Sequence, residues 1–199
     1  MDFNTLSLEP VYAAIKAAHG NPKTSPPIPV RKSPTYIEFR RAYKKLISAV
    51  AGDRAVYLWF AVIEGAEPEF IYVGQSNKNK GGLRQRFDDE FRQWYHVNWM
   101  TAFRTKKYVD EVKKLYPGYD TEIENASLKH GATHIVYCTS IPAPLNVETL
   151  EKEVIALFDF PPGNDDDEGF MKPSNYSDEA RQIRDRFIHI ISQTRPYRS

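Results

Sequence analysis

Residues 55–63 (AVYLWFAVI) form an almost uniformly apolar run of β-branched and aromatic residues, which predicts a strand buried on both faces. After Gly65 and Pro68 the same signal resumes at 70–73, so the two runs predict a β-hairpin. Leu83, Phe87, Phe91 and Trp94 then recur at helical spacing and predict a helix with one core-facing stripe. A third strand is expected at 133–139 (THIVYCT). Further helical patterns cover 6–19, stopped by Gly20-Asn21-Pro22, and 35–51, where Phe39, Tyr43, Leu46 and Ile47 oppose Arg40, Lys44 and Lys45. Another is expected around 106–115, ended by Pro117-Gly118. Asn146 caps a helix running to about 159, with Leu150, Val154, Leu157 and Phe158 apolar, and Pro161-Pro162-Gly163 ends it. Ser177 caps a last helix whose buried stripe is Ile183, Phe187, Ile190 and Ile191. Between the first two helices, Pro26, Pro27, Pro29 and Pro34 impose a stiff, extended connector. The expected fold is therefore α+β, a small three-stranded antiparallel sheet flanked by helices. It divides into an N-terminal helical extension (1–54), a core (55–164) and an acidic loop with a C-terminal helix (165–199).

With 199 residues, 41% of them hydrophobic, the chain can bury a core without covalent staples. Its one cysteine, Cys138, excludes an internal disulfide and a multi-cysteine metal cluster. No apolar span of 18 residues and no signal-peptide pattern is present, so a cytoplasmic protein without membrane contact is expected. The net charge of +1 hides a strong asymmetry: residues 1–50 and 76–115 carry +5 each, balanced mainly by Asp165-Asp166-Asp167-Glu168. Trp94, Tyr95, Trp99 and Phe103 interleave with Arg92, Arg104, Lys106 and Lys107, the mixture that stacks on bases and meets phosphates, although core packing accounts for such aromatics as well. The loop 75–82 lacks the Gly-Lys-Ser/Thr order of a phosphate-binding loop, so no nucleotide cofactor is expected.

Several residues on this framework fall into an ordered set. Ala55-Val56-Tyr57 opens the first strand and Tyr72-Val73-Gly74, followed by Gln75-Ser76, ends the second. Leu83-Arg84-Gln85-Arg86-Phe87 begins the helix after them. Leu150-Glu151-Lys152-Glu153-Val154-Ile155 is followed by Pro161-Pro162-Gly163-Asn164. In this order and on these elements, residues 55–164 resemble the GIY-YIG nuclease family. Alanine stands for the first glycine, the interval between Gly74 and Arg86 is longer by a few residues, and Glu90 stands where relatives commonly carry histidine or tyrosine. Whether Glu90 or His96 takes that place is left open by the sequence.

The resemblance implies a divalent-metal-dependent endonuclease acting on DNA, closest in its economy to stand-alone restriction or defence enzymes, with a homodimer left open. Glu151 would hold one Mg²⁺ or Mn²⁺, Arg86 would clamp the scissile phosphate, Tyr57 would serve as base or base relay, and Tyr72 would orient water or phosphate. Asn164 would fix the metal's outer shell or the neighbouring loop. Gly74, Gln75, Ser76, Lys78, Lys80 and Arg84 would line the substrate path. Read on residue type alone, each has a plainer alternative. The tyrosines serve as strand aromatics, Arg86 pairs with Glu90 at i, i+4, Arg84 competes for the role of Arg86, and Glu148 or Glu153 for that of Glu151. A domain of this fold that binds nucleic acid without cutting it is the rival of a different class.

Overall fold

The computed structural model describes residues 1–19, 34–77, 81–95, 132–164 and 174–197. The helix expected at 106–115, the proline connector, Lys78, Lys80, His96, Trp99, Phe103 and the acidic run 165–168 lie outside them. So do the side chains of Trp94 and Tyr95. The elements are β1 (Asp2–Ser7), α1 (Glu9–His19), α2 (Pro34–Leu46) running into a 3₁₀ turn (Ile47–Ala49), β2 (Ala55–Ala61), β3 (Glu69–Ser76), α3 (Gly82–Tyr95), β4 (His134–Thr139), α4 (Val147–Leu157) and α5 (Asp178–Gln193).

The sheet is antiparallel and has four strands, ordered β1-β4-β2-β3, where the sequence predicts three. The addition is β1, which pairs Asp2 with Thr139 through to Ser7 with His134 and takes the first residues of the helix expected at 6–19. Asp2 and Asn4 disfavour a strand while Phe3 and Thr5 favour one, so the local signal is mixed; the edge of β4 imposes the conformation from outside the segment. The other elements follow local chemistry. Asn146 accepts the Thr149 amide and Ser177 the Ala180 amide, the two helix caps read from sequence. Helix α4 ends at Leu157, before the prolines, as Asp159 and Phe160 turn through left-handed backbone (φ +55° each).

β2 is buried along its whole length. Its odd residues Ala55, Tyr57 and Trp59 join Phe39 and Tyr43 of α2 and Leu83, Phe87 and Phe91 of α3 in one core. Its even residues Val56, Leu58 and Phe60 meet Leu150 and Val154 of α4 and Ile183 and Phe187 of α5 in the other. Strand alternation thus commits Tyr57 to the α3 side of the sheet and leaves α4 on the opposite layer. No described helix is long and apolar enough to cross a membrane.

Candidate active site

In the β2–β3 ladder Tyr57 lies opposite Gly74 and Trp59 opposite Tyr72. The two tyrosines are therefore diagonal neighbours on one face, with ring centroids 6.2 Å apart. Helix α3 crosses this face with its Leu83, Phe87 and Phe91 stripe buried. Arg86 and Glu90, four residues apart and one row over, are brought to the tyrosines.

Gly74 makes the arrangement possible. A Cβ there would stand 2.3 Å from the Tyr57 hydroxyl oxygen and 2.4 Å from the adjoining ring carbon, both parts of a fully buried ring with no room to yield. Gly74→Ala is expected to lower stability by about 1–3 kcal/mol, as overpacking does, and to displace the hydroxyl from its partners. Thermal unfolding together with the near-UV tyrosine signal checks this.

Arg86 is the centre of the site. Its Nε donates to the Tyr57 hydroxyl (3.0 Å) and Nη2 to the Tyr72 hydroxyl (3.1 Å), while Nε lies 3.1 Å from Glu90 Oε1. Tyr57 in turn donates to Glu90 Oε1, and Trp59 Nε1 donates to Glu90 Oε2 (3.1 Å). The pairing of Arg86 with Glu90 is thus real, yet it is no surface contact: Glu90 is 1% exposed, whereas the Arg86 side chain is 37% exposed. Burial pushes the Glu90 carboxyl up to about 7, against the opposing pull of Arg86 and of the hydrogen bonds from Tyr57 and Trp59. Burial, reinforced by Glu90, raises the Tyr57 phenol well above its ordinary value, and the same two causes push Tyr72 up to about 12. The carboxylate of Glu151 adds to the rise at Tyr72, which places α4's candidate ligand within electrostatic reach of the site.

The competing assignments separate in space. Arg84 Nε donates to the Val50 carbonyl (3.0 Å), tying α3 to the segment after α2, and lies away from the tyrosine pair. Glu148 is exposed and pairs with Lys152 (3.3 Å). Glu153 accepts from the Ser177 hydroxyl and from its amide (3.2 Å), buttressing the cap of α5. Asn164 binds the backbone of Val73 at both ends, Oδ1 accepting from its amide (2.9 Å) and Nδ2 donating to its carbonyl (2.7 Å). Its position is that of a brace on the loop next to β3. Ser76 is fully buried opposite Ala55. Its hydroxyl, Gln75 Oε1 and Asn77 Oδ1 have no hydrogen-bond partner among the described residues. Sequence reasoning did not anticipate Trp59 as a member of the network; its place two residues after Tyr57 on one strand face is the signal that identifies it.

Among the described residues no group of three or more His, Cys, Asp or Glu is disposed to hold a metal ion. Glu151, whose charge is felt at Tyr72, offers a single carboxylate. Such a donor set suits Mg²⁺ or Mn²⁺, which keep several waters and complete their shell with substrate phosphate, and does not suit zinc, which wants three or four protein ligands. No protein-family profile matches the chain, and neither a curated protein nor a solved structure is significantly similar to it.

Proposed function

We propose that the protein is a divalent-metal-dependent endonuclease that hydrolyses phosphodiester bonds in DNA in the manner of GIY-YIG nucleases, with a restriction or defence role. The observation that carries this reading is a single half-exposed arginine, Arg86, held by the hydroxyls of two motif tyrosines and by a buried carboxylate. A guanidinium stays charged at every working pH, and its fork has N–H groups beyond the two engaged here with which to receive a phosphate. Fixed donors of this kind stabilise the charge that grows on phosphorus-bound oxygens in the transition state. Tyr72, half-buried beside Arg86, orients the attacking water or a phosphate oxygen. Glu151 would hold the Mg²⁺ or Mn²⁺ ion, which when bound supplies further positive charge next to the scissile phosphate.

Affinity for the rest of the duplex would come from basic residues outside the motif. On α2, Arg41 is engaged by Glu38 (2.6 Å) and Lys44 by Asp88 of α3 (2.6 Å). Exposed Arg40 and Lys45 carry no ion pair among the described residues and are the side chains of α2 best placed to meet phosphates.

The test is incubation of the purified protein with supercoiled plasmid in Mg²⁺ and, in parallel, in EDTA. Nicking that requires the metal supports the proposal; retention of DNA on a gel without nicking supports the binding module instead.

A further inference from the structure

We propose that Glu90 is the terminal proton acceptor of the site: Tyr57 takes a proton from the attacking water only by handing its own to the Glu90 carboxylate. This rests on the nuclease reading above and assigns a residue that the family resemblance leaves without a role. The geometry restricts the choices. Tyr57 is fully buried, and its hydroxyl hydrogen is committed to Glu90 Oε1 while its oxygen accepts from Arg86 Nε. A neutral phenol cannot hold a second proton, so any proton arriving on its oxygen must be matched by one leaving. The acceptor within reach is Glu90, held in place by Trp59 Nε1 at 3.1 Å. Direct action as a phenolate is closed off, because burial and the neighbouring carboxylate both oppose ionisation of Tyr57.

Substrate opens the relay. A phosphate that draws the Arg86 guanidinium toward itself removes the Nε donor from Tyr57, freeing the lone pair that meets the water. The same movement takes a positive charge away from Glu90. Because Arg86 holds the Glu90 carboxyl down, its withdrawal makes that carboxylate a stronger acceptor when one is needed. In the reacting step the water oxygen bonds to phosphorus as its proton passes to Tyr57 and the phenolic proton passes to Glu90. The bridging P–O bond breaks, its electron pair leaves with the ester oxygen, and that oxygen takes a proton from solvent. Glu90 then returns its proton to solvent before the next turnover. The titratable and charged groups facing Glu90 among the described residues are Arg86 on its own helix, Tyr57 on β2 and Tyr72 on β3. From α2, Tyr43 stacks on Phe91 one residue further along α3.

The experiment is the pH dependence of single-turnover cleavage for the wild-type chain, Glu90→Gln, Tyr57→Phe and the double variant, with DNA affinity measured alongside. Glutamine keeps the shape and can still accept from Tyr57 but cannot take up a proton. The wild-type rate should fall on the acid side with a midpoint at or above about 7, the value of the Glu90 carboxyl while Arg86 still faces it. Glu90→Gln should lose about 10²–10⁴-fold in rate and the acidic limb with it, at unchanged affinity, as loss of a positioned proton acceptor does. The double variant should be no slower than the slower single one, since the two groups act as one unit. A Glu90→Gln enzyme that keeps the acidic limb, or rate losses that multiply in the double variant, overturns the relay while leaving the nuclease reading intact. A wild-type rate that does not fall below pH 7 overturns it even if no variant folds. A wild-type chain that cleaves nothing in Mg²⁺ overturns both.

Discussion

Glu151→Ala is expected to abolish metal-dependent nicking while DNA affinity stays within a few-fold of wild type. A carboxylate that holds the cation contributes to the transition state and makes few of the ground-state phosphate contacts. The other glutamates of α4 are the controls, and the structure gives them distinct behaviours. Glu148 and Lys152 form an exposed i, i+4 pair, so Glu148→Ala should cost about 0.2–0.5 kcal/mol and leave the rate alone. Glu153→Ala strips the Ser177 cap of its acceptor. It should cost about 1–2 kcal/mol in thermal or chemical unfolding, again with the cleavage rate unchanged. An inactive Glu148 or Glu153 variant beside an active Glu151→Ala would reassign the metal ligand.

Arg86→Ala carries the second large effect, a fall of at least about two orders of magnitude in the single-turnover rate, the usual loss when one preorganised charge stabiliser is removed. It also leaves Glu90 buried without its counter-charge. Because Arg86 is itself more than a third exposed, the stability cost is put at the lower end for a broken ion pair, on the order of 1–3 kcal/mol. Arg86→Ala/Glu90→Gln keeps that position neutral at every pH and should recover the stability that Arg86→Ala loses where Glu90 is ionised, but none of the activity, separating a chemical defect from a folding one. Arg84→Ala, which forfeits the bond to the Val50 carbonyl, should leave the chemical step nearly unchanged. The reverse pattern would move the assigned arginine by two positions.

How much of this could be read from sequence differs from element to element. The continuous apolar run of β2 and the Leu83, Phe87, Phe91 stripe of α3 are statements about local periodicity, and both have the burial it implies. Asn146 and Ser177 are equally local, since a cap needs only a short polar side chain before a helix. β1 was not legible, because Asp2–Ser7 becomes a strand by pairing with His134–Thr139, an edge remote in sequence. At the site, the choice between Arg86 and Arg84, and among Glu148, Glu151 and Glu153, depends on partners from other elements: Tyr57, Val50 and Ser177. Trp59 and Glu90 meet only once strand and helix are stacked. The prolines mark the end of α4 to within two residues, whereas the left-handed turn that closes it falls on Asp159 and Phe160 and not on a glycine.

Asn164 also closes an exposed edge of the sheet. β3 is the last strand of the sheet on its side, and a bare outer strand offers a row of amides and carbonyls on which a second chain can template itself. Here the Asn164 side chain saturates both backbone groups of Val73, and the Gly163 amide takes the Ile71 carbonyl (2.8 Å), so a two-residue plug occupies the middle of that border. Removing the amide reopens the border to strand addition by a neighbouring molecule. The same side chain that braces the loop next to β3 then serves as a guard against self-association, and Asn164→Ala should be felt in colloidal behaviour at high concentration.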